Sequence, residues 1–70
     1  MGKARWEEIE AIVKPYFDAG FQPDRNDLVE LAYRENLSDD IIDAFDSLSG
    51  KPVPSLDELK RQLEENGVIE

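Results

Sequence analysis

The sequence predicts an all-α fold, a compact bundle of four short helices with a Pro-rich extended connection before the last helix. Apolar residues recur at three- and four-residue spacings in four stretches, and each stretch is bounded by capping or chain-breaking residues. Nowhere does the chain alternate apolar and polar positions as a half-buried strand would. Four apolar faces joined by tight breaks must pack on one another, because a short amphipathic helix cannot bury its own stripe.

In the first segment Trp6, Ile9, Val13, Tyr16 and Phe17 fall on one face of a 3.6-residue period. Pro15 interrupts it by deleting a backbone donor and disfavouring a helical Lys14, so the spacing predicts a kinked helix or two short pieces meeting near residue 14. Gly20 supplies a left-handed stop, with Phe21 folding back against Tyr16 in a Schellman closure. The second segment starts at Asp24, whose carboxylate can accept from the amide of Asp27. It runs through Leu28, Leu31 and Ala32 to about Asn36.

Ser38 is the expected cap of the third segment, with Asp39 and Asp40 at the positive end of the helix dipole and Ile41, Ile42, Phe45 and Leu48 as its buried stripe. Gly50-Lys51-Pro52-Val53-Pro54 is the extended connection, since prolines at alternate positions hold the chain out of a helix. Ser55-Leu56-Asp57-Glu58 then reads as a capping box, Leu56, Leu59 and Leu63 as the fourth stripe, and Asn66-Gly67 as its end, with Val68 over Leu63. The following Val68-Ile69 tail is open to pairing with a partner or to fraying.

From Phe21 to Leu59 the pattern resembles that of a family of small prokaryotic domains of unknown function, number 2795. Phe21, Asp24, Arg25, Leu28, Val29 and Ala32 are similar to its aromatic, cap, basic and Leu-Val-x-x-Ala positions. Ile41, Ile42, Phe45 and Leu48 are similar to its second helix, and Val53, Ser55, Glu58 and Leu59 to its extended stretch and final helix start. Pro23 sits one place later than in that pattern, and Ser49-Gly50 and Val53 stand where Pro-Asp and Tyr are usual. The shared positions are core and capping positions, so the resemblance implies a fold and no activity.

Composition narrows the function. The 70 residues suit one domain, spanning 1–70, and leave no room for a second core. Eight Lys and Arg against 17 Asp and Glu give a net charge of −9. A field of that sign repels phosphate backbones and anionic lipid and favours basic partners, so neither direct nucleic-acid binding nor membrane association is expected. The N-terminus lacks the apolar stretch of a signal peptide and no run approaches a spanning helix, which makes a cytoplasmic location the expectation. Cys and His are both absent, removing thiolate chemistry, the usual zinc ligands and the commonest general base.

Asp39, Asp40, Asp43 and Asp46 are the densest candidate cluster for carboxylate chemistry. On a helix Asp39, Asp43 and Asp46 share a face opposite much of the apolar stripe, which places them in water, and the stretch lacks the alternate oxygens and central Gly of a Ca²⁺ loop. Ser38 and Ser55 precede apolar runs with no base available and read as caps. The isolated glycines form no phosphate cradle. No enzyme activity, metal or cofactor is expected.

The Asn36-Leu37-Ser38 break has helix-turn-helix spacing, yet its second helix would present aspartates to phosphates. Most of Trp6, Tyr16, Phe17, Phe21, Tyr33 and Phe45 are expected inside; Tyr33 neighbours its helix's stripe without belonging to it and is expected outside. Exposed aromatics beside Arg anchor protein partners, which makes Tyr33, Arg34 and Trp6 the candidate contacts of a protein-interaction or adaptor module. The alternative is an acidic mimic that occupies the basic groove of a nucleic-acid-binding protein through Asp39, Asp40, Asp43 and Asp46. The chain is expected to be a monomer or a weak homodimer.

Overall fold

A computed structural model describes residues 2–70. They form four helices, α1 (Trp6–Asp18), α2 (Arg25–Arg34), α3 (Asp39–Asp46) and α4 (Leu56–Asn66), within an envelope of 33 × 25 × 21 Å. α1 packs on α4 and α2 on α3, and the two pairs share one core. Phe45, Ile9, Leu28, Leu59, Leu63, Val13 and Val53 are fully buried at its centre. Each such side chain contributes about 1.5–3 kcal/mol by leaving water, and together these set against the conformational entropy of a short chain.

α1 runs unbroken through Pro15, so the two-piece alternative is not what forms. Pro15 lies in the last turn, where its missing donor leaves only the carbonyl of exposed Ala11 without an intrahelical partner, and water can serve it. Asp24 caps α2 as expected, accepting from the Asp27 amide at 2.9 Å. The Asp27 carboxylate accepts in return from the Asp24 amide at 3.2 Å, closing a full capping box. α2 ends two residues before Asn36, which adopts a left-handed φ of 57°. The Leu37 amide then reaches back to the Ala32 carbonyl at 2.9 Å.

Ser38 caps α3 through the Ile41 amide. Ile41, Ala44 and Phe45 are buried along it, Leu48 is buried just past its end, and Ile42 is only half-buried. The Pro-rich connection is non-helical, with bends at Gly50 and Lys51, Pro52 and Pro54 exposed and Val53 turned inward. The Val53 amide donates to the Pro23 carbonyl at 2.9 Å, tying this connection to the α1–α2 break.

At the start of α4 the Ser55 hydroxyl accepts from the Glu58 amide at 3.1 Å. The reciprocal half of the expected box is missing, because the Glu58 carboxylate is taken by its own helix: Arg61 Nε donates at 2.9 Å and Gln62 Nε2 at 3.1 Å. The Arg61 hydrogen bonds, reinforced by Gln62, hold the Glu58 carboxyl below the usual carboxylate range. A lowered carboxylate pKa in the fold contributes stability above the unfolded value of about 4.3, and that contribution disappears as pH falls through the folded value. Glu58→Gln is therefore expected to lower the urea midpoint at pH 7, with the difference from the parent shrinking as the pH is taken below about 4.

Gly67 ends α4 at a left-handed φ of 70°, with the Val68 amide returning to the Leu63 carbonyl at 3.3 Å. The tail pairs within the chain instead of standing free. Ala4 and Ile69 form an isolated parallel bridge, in which the Ala4 amide donates to the Val68 carbonyl at 3.1 Å and the Glu70 amide to the Ala4 carbonyl at 3.0 Å. Ile69 is 7% exposed and Ala4 3%. α1 has no side-chain cap at Arg5; the clasp fixes the backbone immediately before the helix.

Candidate functional site

The aromatic residues divide at the edge of the core. Phe45 and Trp6 are buried and Phe17 is half-buried, whereas Tyr16, Phe21 and Tyr33 are 38, 62 and 67% exposed. The exposure of Tyr33 agrees with the sequence expectation. Trp6 is corrected: at the first position of α1 it faces inward at 9% exposure, with the Lys60 ammonium of α4 5.8 Å from its ring centroid. It is a core residue with a cation laid over it, with no free face for an anchor.

Tyr16 and Phe21 are also corrected, from inside to outside. The Schellman closure that joins them forms, with the Gly20 amide bonded to Phe17 and the Phe21 amide to Tyr16, both at 3.0 Å. Their rings meet with centroids 6.4 Å apart and planes 54° from parallel. Periodicity put Tyr16 on the apolar face of α1, but whereas Phe17 packs against the core, Tyr16 overhangs its edge beside residues of α2.

This overhang makes a groove of about 340 Å³. Tyr16, Phe21 and Pro23 form one side, Leu28 and Leu31 the α2 side, and Asp27, Glu30 and Arg34 the polar rim. Positions 27, 30, 31 and 34 follow the three- and four-residue spacing of one helix face, which is why one short helix supplies both floor and rim. Arg34 thus belongs to the groove, and Tyr33, on the neighbouring strip of α2, lies outside it. Glu30 and Arg34 have helix-pair spacing, yet among the described residues neither forms an ion pair.

The aspartates of α3 lie elsewhere. Asp39, Asp43 and Asp46 are exposed, and Asp46 stands 3.9 Å from the Arg25 guanidinium. Asp40 is half-buried and, with Asp43, borders a second cavity of about 280 Å³ beside Gly2, Lys3, Gly67 and Val68. No group of three or more Asp or Glu side chains among the described residues is gathered closely enough to hold a metal ion. Among the described residues no helix is long and apolar enough to cross a membrane.

The exposure of Tyr33, Arg34, Asp39, Asp43 and Asp46 follows the sequence expectation, whereas that of Tyr16 and Phe21 does not. The available signal was Gly20: a helix stop between two aromatics keeps both at a turn, and turns lie at the surface. No family model matches the chain, and no curated protein or solved structure matches it either.

Proposed function

We propose that this chain is a non-catalytic protein-interaction module that receives an apolar part of another protein in the groove between the end of α1 and the face of α2. The observation that supports this reading is the convergence of Tyr16 and Phe21, both substantially exposed, with Leu28 and Leu31 in a single concavity. Exposed aromatic surface costs solubility, and a rimmed aromatic patch is the usual form of a binding anchor. At about 340 Å³ the groove is at the small end for ligand pockets and suits one or two side chains. The reading includes a cytoplasmic location and a monomer or weak dimer, in keeping with a Cys-free chain of net charge −9.

A second reading, the acidic mimic of nucleic acid, draws on exposed Asp39, Asp43 and Asp46 along α3. Affinity capture with three versions of the protein separates the two. Phe21→Ala is expected to reduce capture of the bound protein by about thirtyfold in affinity, the effect of losing a hot spot worth about 2 kcal/mol, and Asp39→Asn/Asp43→Asn/Asp46→Asn to leave it within about threefold. The reverse ranking, with capture collapsing between about 50 and 200 mM salt, would establish the mimic instead.

A further inference from the structure

We infer that the occupant of the Tyr16–Phe21 groove is a short cationic segment of another protein, carrying an apolar anchor residue beside Lys or Arg. The inference rests on the reading of the groove as a binding site and adds the chemistry of what enters it. The apolar half is set by the walls: Phe21, Pro23 and the edges of Leu28 and Leu31 offer no hydrogen bonds from their side chains, so an apolar group seated against them gains from leaving water.

The cationic half is set by charge. Asp27 and Glu30 stand on the rim at adjacent turns of α2, and both are exposed. Glu30 has no cationic partner among the described residues. The tilted pair of rings borders the same groove, and an ammonium or guanidinium seated against a ring gains from its quadrupole as well as from the carboxylates. Arg34, on the same rim, donates hydrogen bonds and is suited to a backbone carbonyl of the incoming segment.

Whole-molecule charge selects among occupants. A second copy of this chain would bring a further net charge of −9 towards the first, and an acidic or nucleic-acid partner would meet the same opposing field. A basic segment is drawn in by that field and retained by the groove.

Fluorescence anisotropy with three labelled peptides in a Gly-Ser background tests this. The first carries a Trp-Leu anchor flanked by lysines, the second replaces the lysines by glutamines, and the third replaces the anchor by alanines. The first is expected to bind at least about tenfold more tightly than either other peptide. Its binding should weaken about tenfold or more on Phe21→Ala and about threefold on Glu30→Gln. Asp43→Asn/Asp46→Asn should leave it within about twofold. Phe21 and Glu30 are exposed, and circular dichroism checks that the variants remain folded.

Equal binding of the glutamine peptide, still lost on Phe21→Ala, would overturn the cationic assignment and leave the groove standing as a binding site. Equal binding of the alanine peptide, abolished by the α3 substitutions, would overturn both. Failure of all three peptides at millimolar concentration would overturn the assignment of a cationic anchored segment, with the capture experiment deciding the groove separately.

Discussion

Phe45→Ala is expected to leave the chain unfolded at 25 °C. Phe45 is fully buried on α3 and is the largest such side chain in the core. Truncating a buried Phe to Ala costs about 3–5 kcal/mol, from lost transfer free energy and from the cavity left behind. A chain of 70 residues without Cys, and so without disulfides, has a core that supplies no more than about 3–5 kcal/mol of net stability. The two magnitudes are equal, so the substitution removes essentially the whole margin. Far-ultraviolet circular dichroism should show the helical minimum lost, and emission from the single Trp should shift to the red as Trp6 enters water. Phe45→Leu, which keeps most of the volume, should cost less than about 1.5 kcal/mol and remain folded. A cooperative thermal transition in Phe45→Ala like that of the parent would mean that the four stripes do not share this core.

Ile69→Ala is expected to cost about 2 kcal/mol, the lower end for a buried Ile because the site lies at the edge of the core. Ile69 is near the end of the chain but only 7% exposed, held by backbone hydrogen bonds on both sides of Ala4. With a urea dependence of about 1 kcal/mol per molar, the midpoint should fall by about 2 M, and Ile69→Val should give a fraction of that shift. An effect below about 0.5 kcal/mol would show that the terminal clasp contributes nothing and that α1 starts without it.

These substitutions separate what could be read locally from what could not. Helix stripes and caps depend on residues three or four apart, and Asp24, Ser38, Ser55, Gly20 and Gly67 act as their types and spacings require. Even there, competition decides detail: the box expected at Ser55 is half-formed because Arg61 and Gln62 claim Glu58, and the complete box is at Asp24, where Asp27 takes the role usually given to Glu.

Contacts between distant residues leave no such mark. The Ala4–Ile69 clasp, the bond from Val53 to Pro23, and the Asn66 amide reaching Ser47 at 3.1 Å each join segments with no shared pattern. The candidate site was legible to the same extent. Spacing assigns both Tyr16 and Phe17 to the apolar face of α1, yet only tertiary packing decides that Phe17 meets the core while Tyr16 stays at its edge. For Trp6 the stripe already pointed inward, and its burial, at 9% exposure with Lys60 laid over the ring, follows that pattern and not the contact role. Arg34 was identified beside Tyr33, but the helix turns the two onto different strips, and only Arg34 meets the groove.

On the proposed reading, binding resides in the Tyr16–Phe21 groove and not on the acidic face of α3. Its most direct measurement is chemical-shift mapping of the labelled protein with and without its captured partner. The account predicts shifts concentrated in the side chains of Tyr16, Phe21, Leu28 and Leu31 and the amides around them, with Asp39 to Asp46 unmoved. Shifts centred on Asp39, Asp43 and Asp46, with Tyr16 and Phe21 unchanged, would contradict it.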